Sequence, residues 1–209
     1  MAAMISSPIP ASIPPGEYVP TADQRIVLHG LSWADFQTLL VIRGERRYRL
    51  AYLDGVVEIM GASRGHEGKK SMIGRLLEHY CLALDIPITP YGSWHLEDSS
   101  EEAAAEPDEC YVFAADPTQK QWPDLAIEVV WTSGGINKLE IYRRLRVDEV
   151  WFWKNQVLTV YGLADHGYEP RERSHHVPDL DIAMLCRLSE IEPLNEAVRQ
   201  LRAALSSPR

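Results

Sequence analysis

The chain has 209 residues, with 21 Lys and Arg against 30 Asp and Glu, a formal net charge of −9 and a pI of about 5.3. That length builds one ordinary domain with tails, whose core needs neither disulfides nor a structural metal. The acidity argues against a general nucleic-acid binder; the scattered Cys81, Cys110 and Cys186 give no disulfide framework or zinc-type CxxC pair, and no run of 18 apolar residues is present to span a membrane.

In chain order, residues 1–24 hold five of the 14 prolines and are expected to form a flexible arm. They lack the basic-then-apolar pattern of a secretory signal, so a cytoplasmic protein is expected. Ser32 is a helix cap for Trp33–Ile42, which Gly44 ends. Tyr48–Met60 reads as a β-hairpin turning at Asp54-Gly55. Gly65–Leu84 carries Ile73, Leu76, Leu77 and Tyr80 at helical spacing, and Ile86–Leu96 holds one or two strands. An acidic loop follows, then a strand over Pro107–Phe113.

Leu125–Trp131 is apolar at almost every position, which marks a central strand buried on both faces. Gly135–Val147 is expected to be helical, Glu149–Trp153 and Val157–Gly162 a second hairpin, Tyr168–Arg173 an edge strand, and Asp181–Leu205 a helical stretch broken near Pro193. This order predicts an α/β domain over residues 25–192, with a mixed central β-sheet flanked by helices, and a helical tail over 193–209.

Most familiar catalytic motifs are absent. GxSxG, GxGxxG and HExxH do not occur, and GASRGHEGKKS lacks the first glycine and the Ser or Thr of a phosphate loop. His175-His176 reads as a solvated loop pair. Glu128 is different: it stands inside Leu125-Ala-Ile-Glu-Val-Val, where a lone carboxylate costs several kcal/mol, roughly, unless a cation meets it.

Asp108 starts the preceding strand after Pro107. If the two strands are neighbours, Asp108 and Glu128 converge at one sheet end, as ligands for a hard divalent cation. Asp124 shares the parity of Glu128 but lies roughly 13 Å away along the strand, and is assigned to the turn after Pro123. Lys138 shares a helix edge with Tyr142 and Leu145, from which it could point back at the end of the Glu128 strand.

These residues together resemble the PD-(D/E)XK nuclease superfamily, and more closely its Uma-two restriction-endonuclease group. The likeness runs from about Leu31 to Trp153. It is carried by Leu50-Ala-Tyr-Leu-Asp-Gly-Val-Val-Glu-Ile-Met, His66-Glu67, Glu106-Pro-Asp-Glu-Cys-Tyr-Val, Pro123-Asp-Leu-Ala-Ile-Glu-Val-Val-Trp-Thr-Ser and Asn137-Lys-Leu-Glu-Ile-Tyr. The resemblance implies a restriction-endonuclease-like core and metal-dependent phosphodiester cleavage by a homodimer.

On the matching positions, Asp108 and Glu128 with the Val129 carbonyl would hold Mg²⁺ or Mn²⁺, with nucleic acid, DNA foremost, as substrate. Lys138 would be the lysine, and His66 would join the site from its helix. The chain departs from the pattern at Val130, where the superfamily lysine usually stands, at Ala51 in place of a Glu, and at Gly134 and Asn137 in place of an Asp. A degenerate dimeric binding module and a small-nucleotide phosphohydrolase are the alternatives.

The acidity is local. Seven acids lie between Leu96 and Cys110 without a Lys or Arg, and the rest of the chain sets 21 basic residues against 23 acidic ones. The charge is therefore expected to sit beside the proposed site, on a near-neutral body.

Overall fold

The structure, a computed structural model, describes residues 23–130 and 135–206. The bulk of the expected arm, and Gly134, lie outside them. The mixed central sheet is present, and a second, antiparallel sheet stands beside it, with helices flanking the pair.

The antiparallel sheet begins with a strand that the sequence reading did not anticipate, β1 (Gln24–His29). Helix α1 (Trp33–Arg43) follows, with Ser32 and Asp35 closing a reciprocal capping box. The hairpin β2 (Tyr48–Leu53) and β3 (Val56–Gly61) turns at Asp54-Gly55, both with positive φ, as a two-residue connection requires. Phe36 of α1 packs on Leu50, Tyr52 and Val57. Alternation leaves Arg49, Ala51 and Glu58 on the opposite face, toward the rest of the domain.

Helix α2 (Arg64–Ala83), capped by Ser63, buries Ile73, Leu76, Leu77 and Tyr80 against the central sheet. The short strand β4 (Thr89–Pro90) leads to β5 (Leu96–Asp98) and β6 (Ala103–Ala105). The expected acidic loop is thus a short hairpin completing the antiparallel sheet, in the order β1-β3-β2-β6-β5. Alanine has weak strand preference, which hid β6 from the sequence. The methyls of Ala103 and Ala105 pack with Ile141, Tyr142 and Leu145.

The central sheet contains β7 (Glu109–Val112), β8 (Leu125–Val129), β9 (Glu149–Lys154), β10 (Val157–Ala164) and β11 (Gly167–Arg171), in the order β11-β10-β9-β8-β7-β4. Only β8 and β9 run parallel, joined through α3 (Lys138–Arg144). That helix is shorter than expected. Gly135 has a φ of +123°, outside helical space, and Asn137 caps the first turn.

All five residues of β8 are buried. Leu125, Ile127 and Val129 meet α2, and Ala126 meets α3. Helices α4 (Ile182–Leu188) and α5 (Leu194–Ser206) close the α2 side, where Leu185, Ala197, Val198 and Leu201 enter the same core. Among the described residues, no helix is long and apolar enough to cross a membrane.

Candidate active site

The register of β7 and β8 pairs Glu109 with Ile127 and Cys110 with Ala126. Continued by one residue, it sets Asp108 level with Glu128 at the carboxyl end of β8. The expected neighbour relation of the two strands is therefore present. The side chains, however, form two groups rather than one cluster.

The first group surrounds Asp108, which is fully buried. Its Oδ2 accepts hydrogen bonds from the Val129 amide at 2.7 Å and from His66 Nε2 at 2.8 Å. Its Oδ1 lies 2.6 Å from Arg49 Nη1, an ion pair without hydrogen-bond angles. Burial pushes Asp108 up, but the His66 hydrogen bond and the charges of Arg49 and His66 outweigh it, and the carboxyl stays below its ordinary pKa.

His66 is held on both ring nitrogens, by Asp108 and, through Nδ1 at 2.9 Å, by Asp23. Burial pushes its pKa down, and the two carboxylates overcome this to raise it to about 9. A protonated imidazole offers no lone pair to a metal. His66 thus reaches the site as a cation bracing Asp108.

The second group surrounds Glu128. Lys138 Nζ lies 3.2 Å from its Oε1, and the Tyr142 hydroxyl donates to the same oxygen. Lys138 and Tyr142 are four residues apart on α3, so one helix edge supplies both contacts. Burial pushes the Glu128 carboxyl up, and Lys138 pulls against it. For Lys138, burial acts downward, while Glu128, then Glu58, then Asp108 hold the ammonium above its ordinary value.

Glu128, Val129 and Lys138 line an open cleft of about 420 Å³, together with Arg25, Glu58 and Lys154. Asp108 is not among the lining residues; it stands behind the wall and is tied to it through the Val129 amide. Four carboxylates, Asp23, Glu58, Asp108 and Glu128, face four cations, Arg25, Arg49, His66 and Lys138. Each of these buried acids thus has a cation beside it, and Arg49 is shared with the half-exposed Glu67 at 2.7 Å.

Sequence reasoning did not single out Arg49, Asp23, Glu58 or the Tyr142 hydroxyl. Glu58 carried the same signal as Glu128, a charge inside an apolar strand. Asp124, by contrast, serves its loop: Oδ2 accepts from the Phe113 amide at 2.7 Å, and Oδ1 holds Lys120 at 2.5 Å. Asp124, Asp148 and His176 also bring ligand atoms within 4.8 Å of one another, an arrangement compatible with a metal ion. His175 is exposed, as expected, whereas His176 is half-buried and stacks on Phe113 at 4.9 Å, which corrects the expectation for that residue. This cluster sits at the amino end of β8, opposite to Glu128.

The His66 arrangement fixes a pH dependence. Its pKa is raised from 6.5 to about 9, so its stabilisation is complete below pH 6.5 and lost as pH rises through 9. Unfolding by urea at pH 6 and pH 9.5 should differ by about 3 kcal/mol from this source. A His66→Gln variant should flatten that slope, and an unchanged slope would contradict the double bracing.

A mixed central sheet with flanking helices is consistent with a restriction-endonuclease-like nuclease fold. Residues 33–189 match the model of the Uma2 family, described as "Putative restriction endonuclease", and the chain belongs to this family within the PD-(D/E)XK-like nuclease superfamily. No curated protein matches the chain.

Proposed function

We propose that the chain is a Mg²⁺- or Mn²⁺-dependent endonuclease that hydrolyses phosphodiester bonds of nucleic acid, DNA foremost, through Asp108, Glu128 and Lys138. The observation that carries this reading is Glu128. It is a carboxylate at the end of a strand buried on both faces, it meets a lysine, and it opens onto a cleft. The family's description points the same way; the resemblance also carries the expectation of a homodimer, and the sparse cysteines and the lack of a secretory pattern carry that of a cytoplasmic setting.

The donor set fits a hard divalent ion. Asp108 Oδ1 accepts no hydrogen bond and meets the Arg49 guanidinium at 2.6 Å, and the Lys138 and Tyr142 contacts of Glu128 both fall on Oε1, leaving Oε2. Carboxylate and carbonyl oxygens are the ligands that Mg²⁺ and Mn²⁺ prefer. Asp108, Glu128 and the Val129 carbonyl would hold the ion, which supplies Lewis acidity to polarise the phosphate and acidify a water.

His66 and Arg49 keep Asp108 ionised and oriented. The Tyr142 hydroxyl fixes the Glu128 rotamer by binding one of its two oxygens. Lys138, charged at neutral pH, is placed to stabilise negative charge growing on a phosphate in the cleft. Lys154 and Arg25 add positive charge to the same cleft for the flanking backbone.

A second reading, a degenerate dimeric binding module, is favoured by one observation: Arg49 and His66 already neutralise Asp108 without any metal. The two readings part on metal binding. Calorimetry with Mn²⁺ and cleavage of supercoiled DNA in Mg²⁺ should both give signals in the wild type, and EDTA should abolish cleavage. Asp148→Ala, at the far end of β8, should leave cleavage within about twofold, since mutations at separated sites act independently. A wild type that takes up neither ion is a binding module. Loss of cleavage in Asp148→Ala moves the chemistry to the other cluster.

A further inference from the structure

Glu58 is the second buried carboxylate that lines the cleft, beside Glu128, only 4% exposed, and metal coordination does not call on it. It stands on β3 directly across from Ala51, whose methyl leaves the space between the hairpin and α3 to the longer side chain. Its Oε2 accepts the Ile136 amide at 3.2 Å and pairs with Arg25 Nε at 3.3 Å. Ile136 lies two residues before Lys138, the first residue of α3.

Gly135 is shaped around the same carboxylate. Its φ of +123° suits glycine, and a Cβ built there would overlap Glu58 Oε2. Within residues 135–138, one buried acid thus binds an amide, fits against a bare Cα, and lies near the lysine ammonium. A buried carboxylate with such partners is costly to place and costly to remove. Its position makes sense if the turn it holds has to be held.

We propose that Glu58 is a positioning residue, anchoring the 135–137 turn to the hairpin and thereby setting Lys138 on Glu128. The inference rests on the reading of Lys138 as a site residue, but its effect on Lys138 is measurable in the absence of cleavage. Glu58 acts through the turn. Arg25 pairs with the same carboxylate oxygen beside Gly135, and α3 then carries both Lys138 and Tyr142 to one oxygen of Glu128.

Two readouts on the intact chain test this. The first is amide hydrogen exchange at Ile136. The second is labelling of Lys138 by an amine-reactive reagent, followed by mass spectrometry. Glu58→Ala should speed exchange at Ile136 and raise labelling of Lys138, each by about tenfold, because an exposed, unheld turn samples open states freely. Glu58→Gln keeps the volume and an oxygen acceptor, and should stay within about threefold of wild type in both. Gly135→Ala, which pushes on the carboxylate from the opposite side, should resemble Glu58→Ala.

If the wild type cleaves DNA, Glu58→Ala should lower kcat more than it raises KM, with partial rescue in Glu58→Gln. Wild-type labelling of Lys138 in Glu58→Ala overturns the inference whatever the activity. Raised labelling with an unchanged kcat also overturns it. A wild type without cleavage sinks the nuclease reading, and leaves exchange and labelling to decide the role of Glu58.

Discussion

Asp108→Ala should destabilise the fold by about 3–5 kcal/mol, the cost of stripping one partner from a buried charge network. The arithmetic is specific to the surroundings. Asp108 is fully buried and meets Arg49 at 2.6 Å, His66 at 2.8 Å and the Val129 amide at 2.7 Å. Its removal leaves two cations short of an anion and one buried amide without an acceptor.

Urea denaturation measures the loss. Titration of His66 by NMR gives a second reading, since its pKa of about 9 rests first on the Asp108 hydrogen bond. In the variant it should move down toward the ordinary 6.5. Asp108→Asn should lie between, because an amide oxygen still accepts from Val129 while the charge is gone. A destabilisation below about 1 kcal/mol for Asp108→Ala would mean that the buried network contributes little.

Glu128→Gln should have the opposite profile, a large loss of chemistry for a modest loss of stability. Burial already disfavours the Glu128 charge. An amide oxygen can still accept from Tyr142, so the fold should lose about 1–2 kcal/mol, chiefly from Lys138. A neutral amide is a poor ligand for a hard divalent ion. Mn²⁺ binding should fall below detection, and cleavage should drop about a thousandfold or more. Wild-type Mn²⁺ heats in Glu128→Gln would remove Glu128 from the metal site.

Much of the frame was legible in the sequence because its signals are local. The Asp54-Gly55 turn, the Ser32 cap, the almost wholly apolar run of β8 and the α2 periodicity each depend on a few neighbouring residues. Glu128 was legible as a contradiction within such a signal. Lys138 followed from helix geometry, since residues three and four apart share an edge.

The rest depended on which faces meet across the domain. Arg49 follows Arg46 and Arg47 at the start of the hairpin, where nothing local marks it; its partner Asp108 lies 59 residues away in the chain. Asp23 stands at the end of a proline-rich approach, and its partner His66 is 43 residues away. Glu58 was readable from its strand pattern, but its partner Gly135 lies on another element. The seven-acid stretch looked like a loop because its strand signal is three alanines.

The strand order has a consequence for how copies of the molecule can meet. Two sheets present four open edges: β4 and β11 in the central sheet, β1 and β5 in the antiparallel one. Pro90 sits on β4 and Pro170 on β11, where a missing N–H interrupts any further ladder. The β5 edge carries Glu97 and Asp98, which repel a like strand. β1 has neither device, and it exposes Ile26 and Leu28. Among the described residues, three of the four edges thus carry a device against strand pairing, and the antiparallel sheet is left without one at β1.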